Sequence, residues 1–393
     1  MLIHLKSLPG NSKGRIFKEN LSTFYDNFQS DKDRILKSSS FRRLQYKTQV
    51  FLNNEGDHFR NRLTHSLEVA QIAREISLHL GLNEDLAEAL SLAHDIGHSP
   101  FGHAGEDALN LAMQEYGGFD HNSQTLKILT DIEEQYINFS GLNLCFETLE
   151  GIVKHNGPLI GPLSNPKKEI GKFILDFSKS FDLQLDKFAS LEAQIASLSD
   201  DIAYNNHDIE DGFRAGFITI EDLTNISFLK NIIDQIYNQF QNVKHEVLIL
   251  EILRRSKYLM MQDLINTMLL NSKNYRLQEP NDVRNCEIQI ANFSNEMQNV
   301  NDKIAKMLRI KVYNNYKVNR MTNKSKRVII KLFNIYINDP GCLPERWQHK
   351  VHLCTSTKDV ATIICDYISG MTDRYAIKEY ISFYDPSLDQ GEL

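Results

Sequence analysis

At 393 residues, with 41 % hydrophobic and 24 % charged side chains, the chain has the composition of an ordinary soluble globular protein and can bury a substantial core. A formal net charge of -7 argues against a generic nucleic-acid binder, while leaving room for a local basic pocket that takes an anionic ligand. Five scattered cysteines (Cys145, Cys286, Cys342, Cys354, Cys365), odd in number and without CxxC spacing, read as free thiols, not as a zinc site or a disulfide frame. No run approaches ~20 apolar residues and the N-terminus lacks a long apolar core, so neither a membrane span nor a signal peptide is expected and the cytoplasm is the default compartment.

Nine prolines, long apolar-periodic stretches and few alternating runs predict a mostly helical protein. From His65 to Leu80, the residues Leu67, Ala70, Ala73, Ile76 and Leu80 recur at helical spacing, and Gly81 closes the helix. Asn83 or Asp85 is placed to cap a second helix, through Leu86, Ala89, Leu90 and Ala93, that runs into His94-Asp95 and ends before Gly97 and Pro100. Gly157 to Lys172, with three prolines and three glycines, reads as a loop or lid. Phe181 to Ala203 reads as a long helix, through Leu191, Ile195 and Leu198 into Asp200-Asp201-Ile202-Ala203-Tyr204. Ile220 to Leu269 is helical in pattern, Asn271 to Asn285 is polar and reads as a second mobile loop, and Arg327 to Ile337 returns to helical spacing. With no internal repeat, low-complexity tract or linker, the expected architecture is all-α, one helical domain with a helical C-terminal extension.

The chemistry gathers in Leu92-Ala93-His94-Asp95-Ile96-Gly97-His98-Ser99-Pro100-Phe101-Gly102-His103, where three histidines and one aspartate fall within ten residues. A neutral imidazole beside a carboxylate supplies ligands for a borderline or hard divalent cation. Neighbouring helical side chains point about 100° apart, so this pair converges on one ion only where the backbone holds both there. The remaining ligands must come from elsewhere. His65 stands at the head of its helix, just after Arg60 and Arg62, and Asp200 sits on a helix that carries Tyr204 and Asp208 on roughly the same face. His65, His94, Asp95 and Asp200 make a two-histidine, two-carboxylate shell for one divalent ion. Manganese, magnesium, iron and zinc all suit it.

The ordered series His65, His94-Asp95, Asp200 resembles the HD phosphohydrolase superfamily. The blocks Phe41 to Phe51, Arg62 to Val69, Gly118-Phe119-Asp120-His121-Asn122, Ser199 to Tyr204 and Gly370 to Ala376 narrow the resemblance to bacterial deoxyguanosine triphosphate triphosphohydrolases and their dGTPase-like relatives. That resemblance implies an HD-domain fold and hydrolysis of a deoxynucleoside triphosphate to the deoxynucleoside and tripolyphosphate, with water attacking the α-phosphorus. It also implies a dNTP substrate, a homo-oligomer and, in some members, an activating nucleotide. A nucleic-acid partner has no support from the acidic balance, and no membrane partner is expected. The implied organisation is an N-terminal segment, 1–55, contributing to the nucleotide pocket. A metal-binding core, 56–215, follows, and a helical region, 216–393, completes the pocket and carries oligomer contacts.

Within that frame, His103, three residues before Glu106, is the natural proton-transfer group, because a carboxylate at that spacing can orient the imidazole. His98 and His121 are expected as supporting or phosphate-facing groups, and Arg62 suits a phosphate oxygen. Tyr204 is placed to stack on or hydrogen-bond the sugar, with Asp208 as a further polar contact, and Gln49 matches the family position that reads the 3′-hydroxyl. A tyrosine packed under C2′ would explain a preference for deoxyribose. Duller readings compete for individual residues. A lone histidine such as His121 or His155 is more often a satisfied or surface residue. Arg42-Arg43 reads equally as a solvated face, a subunit contact or a ligand contact. Asp201 reads as a solvated charge or a partner of Asp200, and Asp373-Arg374 as an ion pair, with Tyr375 the ligand candidate of that segment. Burying His94-Asp95 without a cation or partners, by contrast, would cost several kcal/mol. A nucleotide-regulated HD protein with little activity, or a phosphohydrolase of another phosphoester, is the alternative function.

Overall fold

Asn61 and Gly81 mark the two ends of the helix that carries His65. The Asn61 side chain accepts from the Thr64 backbone N–H, and Gly81 takes the left-handed conformation (φ 77°) that closes the helix. A computed structural model describes residues 1–19, 24–49, 59–164 and 169–385. Among the described residues there are eighteen α-helices and no strand, only isolated bridges such as Thr48 with Asn61. The first half holds α1 (Asn27–Lys37), α2 (Ser39–Arg43), α3 (Arg62–Leu80), α4 (Glu84–Ala93), α5 (Gly102–Ala112), α6 (His121–Lys127), α7 (Phe146–Val153), α8 (Lys172–Ser180) and α9 (Leu191–Arg214). The second holds α10 (Ile220–Thr224), α11 (Ser227–Gln239), α12 (His245–Asn274), α13 (Pro280–Arg284), α14 (Asn295–Leu308), α15 (Tyr316–Asn338), α16 (Glu345–His352), α17 (Thr357–Ser369) and α18 (Asp373–Tyr384). The all-α expectation holds.

Helices α3, α4 and α9 pack on one another, with α1 against α4 and α12 against α9. Their apolar stripes fill two cores, one around Ile35, Leu86, Leu90 and Leu149, the other around Val69, Ile76, Ile195 and Leu264. A third core lies between the end of α9 and α10–α12 with α14, and a fourth joins α5 to α15, α17 and α18. The segments that carry His94, Asp95 and His103 are therefore framed by three long helices on one side and by the C-terminal helices on the other.

Three expected boundaries differ. The helix predicted over Phe181 to Ala203 begins only at Leu191, where Ser190 caps it, and runs on to Arg214. The apolar residues before it, Leu183, Leu185 and Phe188, are buried from an irregular segment whose carbonyls at Gln184 and Phe188 accept from the buried Lys154 ammonium. Ile220 to Leu269 is three helices, broken at Asn225-Ile226 and at the polar Phe240–Lys244 stretch. Asn271 to Asn285 is not a mobile loop: α12 extends through Asn274, α13 follows, and the Arg284 guanidinium is buried on the Glu150 carboxylate at 2.5 and 2.8 Å. Gly157 to Lys172 is irregular up to α8 where it is described; residues 165–168, like Val50 and Phe51 of the Phe41 block, lie outside the described residues. No helix among the described residues is long and apolar enough to cross a membrane.

Candidate metal centre and active site

Helix α4, capped by Asn83 and not by Asp85, ends at Ala93, so that His94 and Asp95 leave it on a turn and face the first turn of α3 and the middle of α9. Gly97 permits that turn to sit close to α6: a Cβ there would lie 2.1 Å from the His121 carbonyl oxygen. His65, His94 and Asp95 bring one ligand atom each within 4.8 Å of one another. Asp200 joins them, its Oδ1 2.8 Å from His65 Nε2 and 3.7 Å from His94 Nε2. The His94 Nδ1 donates to the Ser91 carbonyl at 2.6 Å, which fixes the tautomer and turns the Nε2 lone pair toward the cluster, where this buried atom has no hydrogen-bond partner. Both carboxylates are held ionised. Burial alone would raise Asp95, but Arg62 first, then His94 and His98, pull it well below the usual carboxylate range; Asp200 is drawn down to about 2, chiefly by His94 and His65 against its own desolvation. Two deprotonated carboxylates and an imidazole lone pair left unpartnered are the donor set that a divalent cation requires.

Beside this group lies a second cluster. The Glu106 Oε1 accepts from His121 Nδ1 at 2.7 Å and from the His121 backbone N–H at 3.1 Å, while Oε2 faces His103 Nδ1 at 3.4 Å. The Glu106 carboxyl is held far below its ordinary range: burial opposes this, and the hydrogen bonds to His103 and His121 overcome it. His98 stacks on His121, ring centroids 4.1 Å apart, and its Nε2 sits 3.2 Å from Asp95 Oδ1. Burial, with Arg62 nearby, pushes His98 well below the usual histidine value, so it is a neutral imidazole. His103 differs, with a side chain 71 % exposed.

A cavity of about 450 Å³ joins the two clusters. Of the residues singled out from sequence, Gln49, Arg62, His65, His94, Asp95, His98, His103, His121, Asp200 and Tyr204 line it, as do His155 and Asp201. Glu106 stands behind His103 and His121. Asp208 stands behind the wall and accepts from the hydroxyl of Tyr313, which lines the cavity. Tyr375 lies elsewhere: it lines a separate depression with Arg43, Trp347 and Tyr367, its hydroxyl 3.1 Å from that of Tyr367. Arg62 is buried, its guanidinium 2.8 Å from Asp95. Its Nε, the Gln49 Oε1, the His94 Nε2 and the His98 Nδ1 are all buried and unpartnered around this one cavity. Buried polar atoms are normally hydrogen-bonded, so four orphans in one place point to a polar ligand.

Comparison with known proteins agrees with this geometry. Residues 62–205 match the HD domain model, and residues 291–382 match the phosphohydrolase-associated domain. Over 377 residues the chain is 45 % identical to a deoxyguanosinetriphosphate triphosphohydrolase-like protein of Bartonella quintana (strain Toulouse), covering 96 % of this chain and 94 % of the relative. Over 392 residues it is 43 % identical to a protein of the same description from Rickettsia typhi (strain ATCC VR-144 / Wilmington), covering 99 % and 100 %. The chain belongs to the deoxyguanosinetriphosphate triphosphohydrolase-like family of HD phosphohydrolases.

As a member of this HD family, the chain carries around its site several residues that sequence reasoning passed over or misread. His207, seven residues after Asp200 on α9, reaches the His65 Nδ1 at 3.2 Å. Glu68, three residues after His65 on α3, accepts from His207. Helical spacing from His65 and Asp200 was the signal that could have found both. Tyr313, at the end of a short π-helical stretch (Arg309–Tyr313), came from a segment without a readable motif. Asp373 is no ion-pair partner of Arg374: it is buried, and its carboxylate accepts from the backbone N–H groups of Thr48 (2.9 Å) and Phe101 (2.8 Å). The buried Lys47 ammonium donates to the carbonyls of His98 and Ser369. The HD motif and the loop carrying Gln49 are thus tied to the C-terminal helices through two charged side chains.

Proposed function

We propose that this phosphohydrolase is a metal-dependent dNTP triphosphohydrolase that releases tripolyphosphate by water attack at the α-phosphorus. The observation that carries the reading is the single cavity into which the metal-type donor set, a histidine–glutamate cluster and the unpartnered atoms of Gln49 and Arg62 all open. His65, His94, Asp95 and Asp200 would hold one divalent ion, manganese, magnesium, iron or zinc. When bound, such an ion supplies Lewis-acid polarisation of a phosphoryl oxygen.

The other roles fall to the chain's own groups. Glu106 accepts from His121 and faces Nδ1 of His103, which leaves His103 Nε2 to move a proton at the attacking water or the departing 5′-oxygen. His98 and His121, stacked and close to Arg62, serve the phosphate chain. Arg62 has donor capacity beyond its Asp95 contact and suits a phosphate oxygen. Gln49 Oε1 is an acceptor awaiting a hydroxyl, as reading of a 3′-OH requires. Tyr204 and Tyr313, ring centroids 6.3 Å apart, supply the wall for the sugar, with Asp208 acting through Tyr313. In this reading, segment 1–55 supplies Gln49, 56–215 the ligands, and 216–393 closes the cavity. A cytoplasmic homo-oligomer, with or without an activating nucleotide, completes it.

The test is turnover of each of the four dNTPs, singly and mixed, with manganese or magnesium, separating tripolyphosphate from shorter phosphates. Tripolyphosphate with the free deoxynucleoside is expected. Activity confined to the mixture would identify an activator, whereas release of orthophosphate or pyrophosphate alone would overturn the reaction assigned here.

A further inference from the structure

Behind the metal-facing histidine, away from the cavity, a chain of side chains leads from the site toward the surface. The His207 side chain is 5 % exposed, and its ring meets that of His65 edge-on, centroids 5.3 Å apart and planes at 81°. Its Nδ1 is 3.2 Å from His65 Nδ1, and its Nε2 contacts Oε2 of Glu68. Arg60 holds Glu68 in turn, with Nε 3.5 Å from Glu68 Oε1, and spreads its other nitrogens over Glu210 (2.7 Å) and Asp211 (3.4 Å).

Two nitrogens facing each other form a hydrogen bond only when one carries the proton and the other does not. For His65 Nε2 to offer a lone pair to a cation, the His65 proton must sit on Nδ1. His207 Nδ1 must then accept, which places the His207 proton on Nε2, where the Glu68 carboxylate accepts it. An ionised carboxylate accepts and never donates, so Glu68 fixes the direction of the whole chain. The reverse order, with a neutral His207 donating from Nδ1, would set its Nε2 lone pair against the carboxylate.

We propose that His207 and Glu68 are positioning residues that lock His65 in the metal-binding tautomer and so set the affinity of the site for its divalent cation. The inference rests on reading His65, His94, Asp95 and Asp200 as a metal shell, and is independent of which phosphoester is the substrate.

The experiment is calorimetric titration of the full chain with Mn²⁺, comparing wild type, Asp95→Ala, Glu68→Ala, His207→Ala and the Glu68→Ala/His207→Ala double variant. Loss of a partner that orients a ligating histidine typically weakens metal binding about 10–100-fold, and that range is expected for each single variant. Because Glu68 acts only through His207, the double variant should bind no more weakly than His207→Ala. Added imidazole, by refilling the place of the lost ring, should restore affinity to His207→Ala, which a purely structural defect would not allow. Glu68 is 43 % exposed, so Glu68→Ala decides the matter even where His207→Ala fails to fold. Mn²⁺ affinity within twofold of wild type in Glu68→Ala, or independent additive losses in the double variant, would overturn the proposal. Mn²⁺ binding by Asp95→Ala as tight as wild type would instead overturn the metal shell, and this inference with it.

Discussion

Through Asp373 the C-terminal helices reach both the Gln49 loop and the HD motif, and its replacement is a sharp test of how the cavity is held. The carboxylate is 3 % exposed and accepts two backbone N–H groups, from Thr48 at 2.9 Å and from Phe101 at 2.8 Å. Phe101 is held at φ 64°, a left-handed conformation that costs a non-glycine residue on the order of 1–3 kcal/mol and persists only where the surroundings enforce it. In Asp373→Asn the shape is kept, but one of the two oxygens becomes an amide that cannot accept. One charge-assisted hydrogen bond is lost, and one buried backbone N–H is left facing another donor. Hydrogen bonds to charged groups contribute about 1.5–3 kcal/mol, and stranding a buried donor costs a similar amount, so a loss of roughly 2–4 kcal/mol is expected. Urea denaturation of the variant against wild type measures it. Since Thr48 precedes Gln49, KM for the nucleotide should rise as well. Arg374→Ala is the control: Arg374 is exposed and lies over the Tyr46 ring at 5.6 Å, so its removal should cost under about 1 kcal/mol. Asp373→Asn within about 0.5 kcal/mol of wild type, with KM unchanged, would refute the reasoning.

Asp95→Ala should abolish Mn²⁺ binding and turnover together. As the same carboxylate neutralises the buried Arg62, the isosteric Asp95→Asn serves as the folding control, and retained activity with full metal occupancy in either variant would sink the assignment. His103→Ala should keep the metal and the melting temperature, since the side chain is largely exposed, yet lose on the order of 10²–10⁴ in kcat; loss of metal would show that the role is misassigned. Asp208 is 1 % exposed, and burial first, with Asp211 nearby, pushes its carboxyl up to about 7. The folded state therefore holds a proton that the unfolded chain releases near pH 4. The associated stability is fully present below that pH and is lost as pH rises through about 7, by up to roughly 4 kcal/mol. Asp208→Asn stays neutral throughout, so its stability relative to wild type should increase from pH 4 to pH 8; a constant difference measured by denaturation at the two pH values would contradict this.

The long helices were legible where local chemistry and burial agree. Asn61, Asn83 and Gly81 punctuate α3 and α4 with side-chain caps and a left-handed closure, and the apolar stripes between them face the core. The misread segments share one physical cause. Around Phe181 to Ser190, and again around Asn271 to Asn285, burial is set by distant charged partners, not by local periodicity. Lys154 donates to the Gln184 and Phe188 carbonyls of the first segment, and Arg284 of the second is anchored on Glu150, 134 positions away in the chain. Apolar spacing in the first mimicked a helix, and polarity in the second mimicked a mobile loop. A one-dimensional pattern carries no record of either long-range pair.

The site shows the same division at finer scale. The residues proposed to hold the cation are chemically conspicuous: His65, His94, Asp95 and Asp200 are side chains of the type that a divalent ion takes, and their spacing exposes them. Residues that hold those groups are conspicuous only in three dimensions. Asp373 looked like half of a surface ion pair because Arg374 follows it, yet its buried carboxylate spends both oxygens on backbone groups 325 and 272 positions away. His207 stands in no motif of the sequence, yet its ring packs edge-on against that of His65. Glu106 was expected to serve His103, and the structure gives its shorter hydrogen bond to His121, so one carboxylate orients two imidazoles of different exposure. That arrangement constrains the chemistry. His98 is buried and His121 half-buried in their stacked pair, whereas His103 is largely exposed, so the proposed proton transfer falls to the histidine open to water. In the proposed mechanism His103 moves the proton, and the Glu106–His121 contact keeps its partner carboxylate in position.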